Sequence, residues 1–300
     1  MSGADMVISE ALPSRIVREV ESLAGACGKG EYPEDAFTRW PEPLWSLYDR
    51  LPSAVVMTSR GCPMRCTVCV SNLLAHAFER RDPEEAARSI VDLAEKGVRD
   101  VAFADDALLF SPEDHAVPLF EALARDGAPV GLHTPNGLHI RSITPRMARL
   151  MRRAGMKTVR LSLETASDEE ARIRFSSKTG REEFARASSA LLDAGFASND
   201  IGAYVLVGLP GQSPESVYET VEFSLSHGVK VRPALFSPVP GTVEYERAAE
   251  MGMIEPGCDP LFENNTLITL DLWGGGEEAY LRFRRFVTEG NARIDSPGRA

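Results

Sequence analysis

The chain has 300 residues, 43% hydrophobic and 26% charged, an ordinary globular composition that excludes a mainly disordered, collagenous or coiled-coil architecture. Lys and Arg number 33 against 44 Asp and Glu, and a formal charge of -11 repels phosphate backbones, which argues against non-specific nucleic-acid binding. No apolar run is long enough to span a bilayer, and Met1 to Glu10 lacks the basic and apolar regions of a secretory leader, so no membrane partner is expected and the expected compartment is cytoplasmic.

Residues 1–52 read as a helical and irregular extension. An amphipathic helix is expected from Pro13 to Ala24, followed by an aromatic, proline-containing stretch from Phe37 to Tyr48 that packs outside the next domain. The core, 53–252, alternates short β-rich runs with amphipathic stretches that open at Pro or Ser and stop near Gly. Ala54 to Met57 is the first strand, then a long loop runs through Cys69, and a helix opens at Asp82-Pro83-Glu84-Glu85 and ends at Lys96-Gly97. Asp100 to Ala104 is the second strand, with a helix after Ser111-Pro112, and Val130 to Thr134 is the third, with a helix from Thr144-Pro145 to Ala154-Gly155. Thr158 to Leu163 is the fourth, followed by helical segments to Ala194-Gly195. Ile201 to Val207 and Val229 to Phe236 complete the set, separated by a helix opening at Ser213-Pro214-Glu215.

Such βα repeats with short connections require a parallel sheet, because each helix must cross back over it to begin the next strand. A barrel or part-barrel fits better than a doubly wound sheet, since no Gly-x-Gly-x-x-Gly turn follows the first strand. After Glu250 the rhythm is lost. The C-terminal extension, 253–300, holds a helix from Glu277 to Glu289 and a Gly/Pro/Arg tail.

Five cysteines without an export signal do not make a disulfide framework. Cys27 and Cys258 stand alone, whereas Thr58-Ser-Arg-Gly-Cys62-Pro-Met-Arg-Cys66-Thr-Val-Cys69 crowds three thiols into one loop, as metal or redox chemistry requires. Gly61 and Pro63 argue against a helix, and a loop leaving a strand can wrap three thiolates around one centre while backbone amides hydrogen-bond to it. Three thiolates leave one iron of a four-iron cluster open to a substrate or cofactor. A structural zinc site needs a fourth ligand, for which His76 is the nearby candidate.

This loop resembles the signature of the radical S-adenosylmethionine (radical SAM) superfamily, and the resemblance extends over roughly Val55 to Gly252. Phe103-Ala-Asp105-Asp106 is similar to the acidic motif ending the second strand. Thr134-Pro-Asn136-Gly137, Leu161-Ser162-Leu-Glu164-Thr165, Val207-Gly208-Leu-Pro210-Gly211 and Ser237-Pro-Val-Pro240-Gly241-Thr242 resemble later strand ends of the cobalamin-associated subgroup. The resemblance implies an α/β fold, a partial (β/α)6 TIM-like barrel with N- and C-terminal extensions, whose chemistry lies at the strand C-termini. It implies a [4Fe-4S] cluster held by Cys62, Cys66 and Cys69, an open iron that chelates S-adenosylmethionine, and an external electron donor such as flavodoxin or ferredoxin. Reductive cleavage would give a 5'-deoxyadenosyl radical that abstracts hydrogen from a small or medium organic substrate, the alternatives being a cobalamin-dependent methyl transfer with externally supplied corrinoid or a non-catalytic metal-binding barrel.

Position by position, the resemblance implies that Asp105 or Asp106 accepts from the methionyl ammonium and that Glu164 faces the ribose, with Ser162 or Asn136 as further polar contacts. It implies that Arg174 or Lys178 pairs with the methionyl carboxylate, and that the backbone around Tyr204 and Phe236 borders the adenine. Val68 departs from the pattern, which places an aromatic residue before the last cysteine beside the adenine. The roughly fifty residues before the first strand are too few for a Rossmann-type cobalamin domain, and no Asp-x-His-x-x-Gly signature appears, which disfavours cobalamin unless a separate subunit supplies it.

His133 and His139 are further candidates at the barrel mouth, and Cys258 for a return over it, though structural roles are the commoner fate of such residues. Arg146, Arg149, Arg152 and Arg153 read as a solvated helix face, and Gly274-Gly-Gly276 as a joint.

Overall fold

The computed structural model describes residues 13–25, 37–39, 42–75, 77–127, 130–176, 180–255, 257 and 273–295. Cys258, Lys178 and His76, each singled out above, lie outside the described residues.

In chain order the elements are α1 (Pro13–Ala24), β1 (Ser53–Val56), β2 (Ser59–Arg60), α2 (Ser71–Leu74), β3 (Glu79–Arg80), α3 (Pro83–Glu95), β4 (Asp100–Phe103) and α4 (Ala116–Asp126). They continue with β5 (Gly131–His133), α5 (Pro145–Arg153), β6 (Met156–Glu164), α6 (Asp168–Arg174), α7 (Arg181–Asp193) and β7 (Ile201–Val207). The last are α8 (Pro214–Ser226), β8 (Lys230–Leu235), α9 (Val243–Glu250) and α10 (Gly276–Asp295). The helix starts follow from capping chemistry. Asp82, Thr144 and Ser213 each accept a backbone N–H three residues on, ahead of a proline whose missing N–H costs nothing in the first turn.

Six strands form one parallel sheet in the order β1-β4-β5-β6-β7-β8, so each main strand pairs with its neighbours in sequence. The sheet is not closed, since β1 and β8 stand at opposite edges. This is the expected partial barrel. One face is apolar: Val101, Phe103, Leu132, Val159, Leu161, Ala203 and Val205 are buried with Ile90, Phe120, Leu150, Leu191 and Val221 from the covering helices. At about 25 cal/mol per Å² of apolar surface, this face dominates the stability of the fold.

Described residues of the stretch before β1 contact the edge of the barrel. Phe37 is buried, with its N–H donating to Glu79 at 3.3 Å, and Trp45 packs against the main core. Glu42 pairs with Arg81 and accepts from Ser89 at 3.1 Å. The pairing of β2 with β3 and the single-turn helix α2 are features the sequence did not suggest, because two-residue strands carry no periodicity.

A second, smaller core packs beneath the cysteine loop: Cys66, Phe175, Leu209, Phe236, Ala248 and Ile254, with Met64, Val68 and Cys69 against it. The loop therefore has an apolar floor of its own at the C-terminal end of the sheet.

Candidate active site

Cys62, Cys66 and Cys69 line a cavity of about 450 Å³ at the strand C-termini, with Asp106, Asn136, Ser162, Glu164 and Tyr204. The residues come from five separate segments, and the parallel topology brings their ends together. Val68 is also on the wall, beside Met64, Phe175, Leu206 and Ala234.

The cysteine loop is positioned at its start by Asp105. This carboxylate is buried and accepts from the Thr58 N–H at 3.1 Å, from the Thr58 hydroxyl at 2.7 Å, and from both the backbone N–H and the hydroxyl of Ser59. Burial pushes its pKa above 3.8, and the hydrogen bonds from Ser59 and Thr58 pull the other way. His115 Nε2 lies 2.9 Å from Thr58 Oγ1 and, with that hydroxyl donating to Asp105, acts as the donor. Burial is the main cause that lowers its pKa to about 4, and the charge of Arg80 adds to it.

This geometry separates the two candidate acids. Of the two acids at the end of β4, Asp106 lines the cavity and Asp105 is consumed in holding the loop. Asp106 accepts from the Gly61 N–H at 3.1 Å and from the Ser71 hydroxyl at 3.2 Å, which sets it beside the cysteines. Gly61 has φ of 80°, and a Cβ there would stand 2.5 Å from the Ala77 carbonyl oxygen, so the backbone conformation and the space both require glycine.

Arg174 and Phe236 are not among the residues that line the cavity. Arg174 is turned away from the cavity wall: its guanidinium pairs with Glu244 and donates to the Pro210 carbonyl at 2.6 Å, which leaves it a structural partner of the loop. The Phe236 side chain is buried in the smaller core with Cys66, and Val68 packs against that core. His133 sits lower in the sheet, 2.8 Å from Thr158 Oγ1 and 3.0 Å from Asp100, whereas His139 does line the cavity.

The remaining wall residues are held by local geometry. Asn136 donates to the Asp105 carbonyl at 3.0 Å, and the Tyr204 hydroxyl donates to the Pro135 carbonyl at 2.6 Å. The register of β6 against β7 shifts between Ser162 and Glu164, and Glu164 adopts φ of 61°. A left-handed glutamate costs about 1–2 kcal/mol, a strain of the kind that gathers at functional sites. The bulge re-aims the carboxylate at the strand end, where it reaches the cavity. Sequence reasoning missed Met64, Ser71, Phe175 and Leu206, whose apolar or small side chains carry no distinguishing motif.

The donor set fits an iron-sulfur cluster. Among the described residues no three His, Cys, Asp or Glu side chains gather around a single metal-ion position. A cubane takes each thiolate on a different iron, so its ligands stand apart. The Cys69 sulfur accepts the Ser71 N–H at 3.4 Å, the kind of hydrogen bond that a ligating thiolate receives.

Comparison with known proteins adds the family. A model of the radical SAM superfamily matches residues 56–224, more than half of the chain. An uncharacterized methyltransferase of Pyrococcus horikoshii is 24% identical over 205 residues, which are 67% of this chain and 43% of that protein. The radical S-adenosylmethionine methyltransferase TsrM from Kitasatospora setae, solved with tryptophan substrate and a SAM analog, aligns with a TM-score of 0.59 at 20% identity. The alignment covers 69% of this chain and 40% of that one. Coproporphyrinogen III oxidase (HemN) from Escherichia coli aligns with a TM-score of 0.52 at 13% identity, over 80% of this chain and 54% of that one. At such identities the structural likeness shows the fold. The chain spans less than half the length of the P. horikoshii and K. setae proteins. With a matching family model, an open six-stranded parallel barrel and three cysteines on one cavity, the chain belongs to the radical SAM superfamily of enzymes, which use a [4Fe-4S] cluster and S-adenosylmethionine.

Proposed function

We propose that this protein cleaves S-adenosylmethionine reductively and uses the 5'-deoxyadenosyl radical to take a hydrogen atom from a small or medium organic substrate held in the barrel. The observation that carries this reading is the shared cavity: Cys62, Cys66 and Cys69 lie on the same wall system as Asp106, Asn136 and Glu164. When bound, the cluster supplies the electron that breaks the sulfonium carbon-sulfur bond of S-adenosylmethionine.

The three thiolates would hold the cluster, with the Ser71 N–H supporting Cys69. Asp106 accepts from the methionyl ammonium, because it is the acid beside the cysteines that faces the cavity. Glu164 accepts from the ribose hydroxyls, with Asn136 and Ser162 adding polar contacts. Val68 and Tyr204 border the adenine and exclude water from it. An external one-electron donor, such as flavodoxin or ferredoxin, reduces the cluster.

The test is anaerobic reconstitution with iron and sulfide, reduction with dithionite, and mass spectrometry for 5'-deoxyadenosine with S-adenosylmethionine as the sole added substrate. Deoxyadenosine above the level of a Cys66→Ala control is the expected result. Equal amounts from the two proteins, with cluster content confirmed in the wild type, reject the reading.

The methyltransferase names of two relatives favour a second reading, a cobalamin-dependent methyl transfer with external corrinoid. It predicts S-adenosylhomocysteine only when methylcobalamin is added.

A further inference from the structure

Below the cavity, the barrel interior carries two arginines that the proposed chemistry does not use. Ser162 on β6, Tyr204 on β7 and Ala234 on β8 line the cavity. Side chains two residues apart on a strand share a face, so Arg160, Gly202 and Arg232 point into the same interior, one step of about 6.6 Å further down each strand. Contact geometry supports this placement. A Cβ on Gly202 would lie 3.2 Å from Arg232 Cγ and 3.4 Å from Arg160 Cδ, so both side chains lie over the one position in that layer without a side chain.

The charges are not balanced within the fold. Arg160 Nη1 donates to the carbonyls of Val159 and Asp200, each at 3.2 Å, and neither arginine pairs with a carboxylate of the described residues. Asp100, the acid on the neighbouring interior face, is already engaged by Lys157 at 3.1 Å and by His133 at 3.0 Å. Burial and the Arg232 charge both lower the Arg160 pKa, against smaller opposing effects of Tyr204 and Asp200. Two guanidinium groups brought together with no carboxylate of the described residues at ion-pair distance repel one another, and a protein of formal charge -11 has no general shortage of acids with which to neutralise them. Their planar donor forks suit an oxyanion, which each can bind in bidentate fashion.

We propose that Arg160 and Arg232 form an oxyanion subsite on the inner face of the open sheet, and that the substrate carries a carboxylate or phosphate group held there below the cysteine-lined cavity. This deepens the proposed function and rests on it for the identification of the bound anion as substrate. The anchored group would fix the depth of the substrate, leaving its other end about one strand step away, at the layer of Ser162 and Tyr204.

The test is a titration of the full chain, labelled with ¹⁵N at arginine Nε, with sodium succinate and separately with sodium phosphate, at ionic strength held constant by sodium chloride. The cross-peaks of Arg160 and Arg232 are assigned by their loss in Arg160→Gln and Arg232→Gln. Saturable shifts of these two peaks, larger than those of the remaining arginines, are expected with at least one anion. Response to succinate assigns a carboxylate, and response to phosphate a phosphate ester. In Arg232→Gln the apparent Kd read from the Arg160 peak should rise tenfold or more. Because Arg232 is exposed and makes no hydrogen bond to the described residues, this variant serves even if Arg160→Gln does not fold. Absence of a saturable shift with both anions, or an unchanged Kd in Arg232→Gln, overturns the proposal. The titration needs neither cluster nor S-adenosylmethionine. Anion binding without deoxyadenosine leaves the subsite standing and rejects the radical reading, whereas deoxyadenosine without anion binding does the reverse.

Discussion

Arg174, the last residue of α6, forms an ion pair with the fully buried Glu244 of α9, and the same carboxylate accepts the hydroxyl of Thr67, between two of the cysteines, at 2.6 Å. Arg247 pairs with it at 2.9 Å, and the Thr67 N–H donates to the Arg174 carbonyl at 2.9 Å. The cysteine loop is thus clamped from the far side of the cavity by two helices distant in sequence. Removing one partner leaves a charge buried and uncompensated, so Glu244→Leu should cost about 3–5 kcal/mol in urea unfolding and lower the iron retained after reconstitution. The double replacement Arg174→Met with Glu244→Leu should recover much of that stability, because an apolar pair needs no desolvation of charge.

The two acids after β4 should separate by phenotype. Asp105→Ala strands several donors of Thr58 and Ser59 in a buried place and should cost more than about 2 kcal/mol. Asp106→Asn keeps the shape of an exposed side chain and should change stability by less than about 1 kcal/mol, yet weaken S-adenosylmethionine binding measured by equilibrium dialysis of the reconstituted protein.

Glu164 offers a test in which stability and binding move in opposite directions. At φ of 61° glycine is free of the strain that glutamate bears, so Glu164→Gly should raise stability by up to about 1 kcal/mol after the entropy of the unfolded chain is counted. The same change should reduce S-adenosylmethionine affinity. A variant less stable than wild type by thermal unfolding would show that the carboxylate is held for the fold.

His115 makes stability depend on pH. Its pKa is about 4 in the fold against 6.5 in the unfolded chain, so the unfolded state takes up the proton first as pH falls. The stability present above pH 6.5 should therefore decline between pH 6.5 and 4, by about 3 kcal/mol in total. Urea midpoints at pH 7.5 and 5 should differ more for wild-type protein than for His115→Gln.

The barrel was readable because each βα unit carries its own signals. Asp82-Pro83, Thr144-Pro145 and Ser213-Pro214 announced three helices within a residue of their starts, and Ile201–Val207 matched its strand at both ends. The cysteines were readable for a similar reason, since three thiols so close in sequence remain close in any fold. Asp105 and Asp106 could not be told apart, because adjacent residues on a chain leaving a strand point in opposite directions, and the choice rests on where Thr58 and Gly61 present their N–H groups. Arg174 drew attention as a cation near the strand ends, while its partner lies 70 residues away.

Local patterns thus carried the class of fold, the order of its strands and the thiol set, since capping, periodicity and close spacing act over a few residues. The partition of polar groups between cavity and scaffold came from long-range packing. Asp105, Arg174 and Phe236 were drawn into the support of the cysteine loop, and Arg160 and Arg232 met over Gly202, because strand register and sheet curvature decide which side chains face one another, and no short stretch of sequence encodes either.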